Sequence, residues 1–343
     1  MHILVFGGSR NIGYYTTLRL LSKSRFPLMK GSFVPDILTN SDCRVRTTDH
    51  GHSATLLLRN ANTFDNDERM QPHVESGRAQ LVLGDALVLD DVKRAWEKAT
   101  DFGRVVDYVV FSIGEGVYLD EVNHPSSTQL HTTIGATPDM SSFKLTKGFT
   151  INPPNITTKG ILNVLCTMPE SIPLPKFIAA ASIGVTKDSP VPLVYKPLYA
   201  YLLREPHADK LGLERVLAHV SGREWGDREP RVEITTVDGV EWQDRKGLPK
   251  SGSIEVLVLR LPMLVEPKHK STPSPAATQP GDASQPSAAA GNETEEEKLK
   301  YRVGGSELGG TYTISRDEVA HFVVETVVKS WDQFKGKAIT VSR

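Results

Sequence analysis

The stretch "GGSRNIG" (residues 7–13) follows "HILVF" (2–6), and its reading decides the fold. A short apolar run ending in glycines has the profile of a buried parallel strand. Beyond the glycines, Ile12, Tyr15, Leu18, Leu20 and Leu21 recur at near-helical spacing, which predicts a helix to about Ser22. Strand, glycine turn and helix in that order are the context of a dinucleotide-binding turn. Such a turn uses three glycines for the bend, for close approach of backbone to pyrophosphate, and for helix–strand packing. Read from Gly8, the G-x-G-x-x-G frame falls on Gly8, Arg10 and Gly13, with one substitution. Arg10 bars the closest backbone approach, but its guanidinium can reach the same phosphates. The helix N-terminus adds N–H groups and the positive end of its dipole. Gly7, Gly8, Ser9, Arg10, Asn11, Ile12 and Gly13 are therefore the first candidate cofactor segment. The competing reading is a glycine-rich surface turn with no ligand.

The rest of the chain repeats the alternation. Strands are expected at 54–60, 78–87, 105–114, 176–185 and 254–264. Helices are expected at 90–99, with Asp90 as a cap, at 156–168 and at 208–220. A final strand and amphipathic helix follow at 311–331, and a short strand closes the chain at 337–342. Strands alternating with helices imply βαβ units and a Rossmann-like, doubly wound parallel sheet with helices on both faces. The expectation is one NAD(P)-binding domain over residues 1–343, with insertions at 24–53 and 221–253. Residues 267–298 are rich in Pro, Ala and Ser and lack large apolar side chains. They cannot bury enough surface to offset ordering and are expected to be disordered.

Composition excludes several classes. Lys+Arg 40 against Asp+Glu 41 leaves a formal charge of -1, so no global basic field exists to hold nucleic acid or an anionic membrane. No apolar run approaches a membrane span, and nothing at the N-terminus reads as a removable leader. The two cysteines, Cys43 and Cys166, are far apart, which fits a reducing compartment and a cytoplasmic location. The histidines show no zinc spacing, and no metal site is expected.

An NAD site places a carboxylate at the end of the second strand, for the ribose 2′-hydroxyl. Here that strand ends "LLLRN", with Arg59 in the acid's place and no Asp or Glu before Asp65. A guanidinium there suits a 2′-phosphate, so NADP(H) is expected over NAD(H).

Several segments together resemble the NAD(P)-binding, NmrA-like branch of the atypical short-chain dehydrogenases, with the NADPH-dependent flavin reductase/biliverdin reductase B group nearest in look. "LLLRN" is similar to the family's 2′-phosphate segment. "LVLGDALVLDDV" resembles its third-strand motif, which implies Asp85 and Ala86 beside the adenine. "FSIG" (111–114) resembles the fourth-strand end, which implies Ser112, Ile113 and Gly114 along the nicotinamide. "KFIAAASIGV" implies Ser182 at the active-site serine position. "ADKLGLERVL", "VLVLRLPMLV" and "TISRDEVAHFVVETV" resemble the helix, strand and late Asp-x-Val-Ala helix that follow. The likeness covers about half the chain by length and leaves out the insertions.

Two departures stand out. The family's first turn is G-A-T-G-x-x-G, whereas G-G-S-R-x-x-G also resembles a "GGTRFIG" turn of extended relatives, including sugar-nucleotide and RNA-associated members. A Tyr-x-x-x-Lys is missing, since Pro206 stands four residues before Lys210 and none of Tyr195, Tyr199 and Tyr201 has a lysine four residues on. The candidate catalytic groups are Ser182 and Lys210, with His207 as a loop proton donor near its ordinary pKa. The alternative for Lys210 is an (i, i+4) pair with Glu214 on a solvated face. Two functions follow: an NADPH-dependent oxidoreductase for a flavin-like, quinone-like or other small conjugated acceptor, or an NADP(H)-binding regulator that engages a protein partner without turnover. Charge balance argues against an RNA role.

Overall fold

The computed structural model describes residues 1–23, 51–114, 153, 155–170, 173–185, 201–225, 241–266, 301–305, 308 and 313–343, with the backbone of 117–119, 130–132, 143–144, 148–149, 236–237 and 240. Most of the expected insertion at 24–53, most of the polar stretch at 120–147 and all of 267–298 lie outside the described residues.

Apolar runs form the sheet. In chain order the strands are β1 (His2–Phe6), β2 (Ser53–Leu58), β3 (Ala79–Leu83) and β4 (Tyr108–Phe111), two short hairpins β5 (Val117–Leu119) with β6 (Leu130–Thr132) and β7 (Phe143–Lys144) with β8 (Gly148–Phe149), then β9 (Lys176–Ser182). A third short hairpin pairs β10 (Thr236–Val237) with β11 (Val240–Glu241). It is followed by β12 (Val256–Leu261), β13 (Met263–Val265), β14 (Arg302–Gly304), β15 (Thr313–Ser315) and β16 (Ala338–Ser342). Eight of these make one sheet in the order β14-β16-β12-β9-β4-β1-β2-β3. All its pairings are parallel except that of β14 with β16.

The order explains where a ligand can sit. From β1 the chain winds outward through β2 and β3, then returns to β4 on the opposite side of β1 and continues to β9 and β12. The strand ends of β1 and β4 therefore diverge, and a crevice opens beyond their carboxyl ends.

Helices cover both faces: α1 (Asn11–Ser22), α2 (Gln71–Glu75), α3 (Leu89–Ala99), α4 (Ile156–Cys166), α5 (Arg204–Ser221), α6 (Arg316–His321), continued by a π-turn to Val327, and α7 (Trp331–Phe334). Period-two alternation sends Ile3 and Val5 to one side and Leu4 and Phe6 to the other. The first pair packs in a core with Leu20 and Leu21 of α1 and Phe322 of the π-turn. The second packs with Trp96 of α3, Ile161 of α4 and Leu217 of α5.

Local departures from expectation have local causes. Asp90 does not cap α3; the cap is Val88, and Asp90 lies in the first turn where its charge still meets the helix dipole. Helix α5 begins at Arg204 instead of 208 and takes Pro206 into its first turn, where a missing N–H costs little. The expected strand 254–264 breaks at Pro262, and β13 pairs with β15 outside the main sheet. From the expected insertion 221–253, the described part packs onto the domain. Trp242 is buried in the second core, and Gly247, at φ +87, leaves the Cys166 carbonyl the space a side chain would fill.

Candidate functional site

At the crevice between β1 and β4, the turn after β1 is set by two glycines. Gly7 has φ +87, and a Cβ there would lie 2.7 Å from the carbonyl carbon of Ser112. Only glycine combines that backbone with so close an approach to β4. Gly13, on α1, would drive a Cβ to 2.5 Å from the Gly7 oxygen, so it permits the tight seat of helix on turn. Gly8 does something else. A side chain there would strike Leu56 and Val5 beneath the turn. The glycine frame is thus Gly7, Arg10 and Gly13, which corrects the frame read from Gly8.

A cleft of about 230 Å³ opens over this turn. It is lined by Gly7, Ser9, Arg10, Asn11, Arg59, Asp85, Ala86, Ser112 and Ile113 among the expected residues, and also by Asn60, Thr63, Leu87 and Ile156. Gly8, Ile12, Gly13 and Gly114 do not line it. Gly8, Ile12 and Gly13 are buried under the turn, and the Lys210 ammonium fills the space a side chain at Gly114 would take.

Charge in the cleft is lopsided. Arg10 and Arg59 are exposed at its rim, Arg59 directly beyond the end of β2. Among the described lining residues the one carboxylate is Asp85, and it is turned into its own loop, accepting the Leu87 N–H at 2.9 Å. The first turn of α1 carries no acid, so its N–H groups and dipole face the cleft side unopposed. Beyond β2 the loop is braced by Thr63, whose hydroxyl donates to the Asn60 carbonyl at 2.6 Å. The excess of positive charge at this rim is of the kind that attracts an anionic group.

Side chains outside the expected set, together with Ser112, hold the walls of this cleft. Asn163, buried in α4, donates to the Ala86 carbonyl at 2.9 Å and accepts from Arg245 at 2.9 Å. Asp91 accepts the Asp85 N–H at 2.7 Å, fixing the other end of that loop. Ser112 donates to the Gly7 carbonyl at 3.0 Å and so ties β4 to the turn. Asp209 of α5 accepts the N–H groups of Thr157 and Thr158 at 2.8 and 2.9 Å, capping α4 from outside where Ile156 meets the cleft. One signal in the sequence pointed to such roles: Asn163 is a lone amide inside the apolar run "GILNVLC".

The three candidate catalytic groups stand beyond the cleft lining, around the carboxyl ends of β4 and β9. Lys210 is buried and donates to the carbonyls of Ile113 at 3.3 Å and Ala180 at 3.2 Å, bridging the two strands. It does not pair with Glu214, which instead takes Arg260 of β12 in a buried two-point contact at 2.6 and 3.0 Å. Ser182 closes β9 and is half-buried. His207 lies in the first turn of α5, not in a loop, with its ring against Gly184. Burial, and then the Lys210 charge, push its pKa down to about 4. It is neutral at pH 7 and cannot serve as a ready imidazolium acid, contrary to the sequence expectation. Among the described residues no cluster of metal-ligating side chains occurs, and no helix is long and apolar enough to cross a membrane.

No protein-family model matches the chain, and no curated protein matches it. Solved structures similar to it include ChuY, an anaerobilin reductase from Escherichia coli O157:H7, at 12% identity and TM-score 0.46, covering 100% of this chain and 97% of that one. Another is a short chain dehydrogenase from Burkholderia cenocepacia J2315 in complex with NADP, at 14% identity and TM-score 0.48, with 99% and 95% covered. A third is an alcohol dehydrogenase from the archaeon Thermococcus sibiricus complexed with 5-hydroxy-NADP, at 14% identity and TM-score 0.47, with 99% and 95% covered. Likenesses this distant carry no argument about chemistry, which rests on the site itself.

Proposed function

We propose that the chain is an NADP(H)-dependent oxidoreductase of the atypical short-chain dehydrogenase kind, acting on a flavin-like, quinone-like or other small conjugated acceptor. The observation that carries it is the cleft over the Gly7 turn, with a helix N-terminus beneath it and Arg10 and Arg59 at its rim. In this reading the turn and Arg10 hold the pyrophosphate, Arg59 the 2′-phosphate, and the Asp85–Leu87 loop the adenine.

When bound, NADPH supplies a hydride, and the protein orients the rings and handles charge. Lys210 places a buried positive charge behind the ends of β4 and β9, which favours negative charge developing on an acceptor there. Ser182 has a hydroxyl to offer the acceptor or the nicotinamide amide. His207, being neutral, contributes a hydrogen bond and not a proton at pH 7. A conjugated acceptor tolerates this, because its reduced form takes its proton from solvent. An isolated ketone fits less well without an acidic phenol.

A second reading has its own support: a regulator that binds NADP(H) and a protein partner without turnover. Pro206 replaces the tyrosine, and the Lys210 ammonium is engaged with two backbone carbonyls. A cytoplasmic location and a small-molecule substrate belong to the first reading.

Titration of the purified protein with NADPH and NADH, followed by oxidation of bound NADPH with FMN and small quinones, tests both. Tight NADPH binding with acceptor-dependent turnover is expected. Tight binding with no turnover on any acceptor would favour the regulator, and equal affinity for the two cofactors would overturn the role given to Arg59.

A further inference from the structure

We propose that Arg316, 305 residues downstream of Asn11, is a positioning residue for the cofactor turn, holding Asn11 in the backbone conformation that leads the glycine loop into α1. The inference rests on the cofactor reading above and extends it to a residue that does not line the cleft.

Asn11 lines the cleft and has φ +54, in the left-handed region. Asparagine tolerates that region better than most residues, but it remains unfavourable relative to ordinary backbone. Its side chain is held. Arg316 donates from Nε to Asn11 Oδ1 at 2.7 Å. The same guanidinium donates from Nη1 to Glu266 at 2.6 Å, and the other Glu266 oxygen accepts from Tyr15 of α1 at 3.3 Å. A carboxylate thus links the guanidinium to α1.

Arg316 has little freedom to leave this arrangement. It is 3% exposed. It opens α6 directly after Ser315, which forms a reciprocal capping box with Glu318. Arg343 donates to Glu318 at 2.6 Å and pins the box to the C-terminal strand. Two parts of the chain far apart in sequence therefore meet at the turn, and the later one fixes the earlier. Any ligand that needs the turn in this shape gains from Arg316 without touching it.

The test compares ligands as well as variants. In the full chain, Arg316→Gln should weaken NADPH and NADH alike by on the order of tenfold, because both present the pyrophosphate to the turn. Binding of 2′-AMP, which lacks the pyrophosphate, should stay within about twofold. In an Asn11→Gly background, where the backbone takes a positive φ without a hold, Arg316→Gln should add no more than about twofold. Equal loss for 2′-AMP and NADPH would mean a general structural defect and overturn the inference, as would additive losses in the double variant. If the unmodified protein binds neither cofactor, the cofactor reading fails and this inference with it. If it binds NADPH and Arg316→Gln leaves that affinity intact, the inference alone fails.

Discussion

Removing the Asp209 carboxylate should cost the protein about 2 kcal/mol, and the number can be built from its contacts. The carboxylate accepts from the N–H groups of Thr157 and Thr158 at 2.8 and 2.9 Å and from the Thr158 hydroxyl at 2.8 Å. Asp209, Thr157 and Thr158 are 2%, 1% and 1% exposed, so water does not replace the acceptor without local opening. Each buried donor left unpaired costs about 1–3 kcal/mol. The Thr158 hydroxyl also donates to the residue-209 backbone carbonyl at 2.9 Å and keeps that partner, so two N–H donors at the low end of the range give about 2 kcal/mol. Asp209→Ala should therefore lower the urea midpoint, followed by tryptophan fluorescence, with the slope unchanged. Asp209→Asn keeps one acceptor but turns an NH₂ toward a donor, and should lose roughly half as much. The cap also orients the start of α4, so both variants should bind NADPH less tightly through Ile156 at the cleft edge. A stability for Asp209→Ala within about 0.5 kcal/mol of the parent, the scatter of ordinary surface substitutions, would refute the reasoning.

Arg59→Ala should reduce the preference for NADPH over NADH by about tenfold or more while leaving NADH affinity nearly constant, as read by parallel titrations. Gly7→Ala places a side chain at φ +87 against Ser112, so it should abolish cofactor binding and lower the melting temperature; a well-folded Gly7→Ala protein with normal affinity would contradict the turn geometry. Glu214→Gln should cost about 3 kcal/mol in chemical denaturation, since it removes the negative charge from a buried two-point contact with Arg260. His207 and His2 have folded pKa values of about 4 and about 3, lowered chiefly by burial. Each is below its unfolded value of about 6.5, so the unfolded chain binds more protons in between, and the stability held above that value is lost as pH falls toward 4. Unfolding titrations at several pH values should show this slope, shallower in His207→Gln, and an unchanged slope would argue that His207 is solvated.

Parallel strands and the glycine turn between β1 and α1 were legible because their causes are local. "HILVF" must be buried on both faces, and a glycine at φ +87 leaves a mark in the sequence wherever a strand turns into a helix. The place of Arg59 at the cleft rim was legible for the same reason, being defined by the end of its own strand. What escaped was set by pairings between distant segments. Which of two adjacent glycines makes the bend depends on where Ser112 of β4 lies, and no spacing within residues 7–13 contains that. Pro206 reads as a helix breaker, yet in the first turn it breaks nothing, and the histidine after it passes from a solvated loop to a half-buried position in a helix. Lys210 and Glu214 have the spacing of a helix pair, but each found a stronger partner on the sheet: two backbone carbonyls for one, Arg260 for the other. The residues that hold the cleft, Asn163, Asp91, Asp209 and Arg316, share that origin. Each is a polar side chain whose partner is contributed by another element or loop, and three of the four are buried. The fold is thus written in runs and turns. The precision of the site is written in long-range polar contacts, and disturbing those should change affinity before it changes the fold.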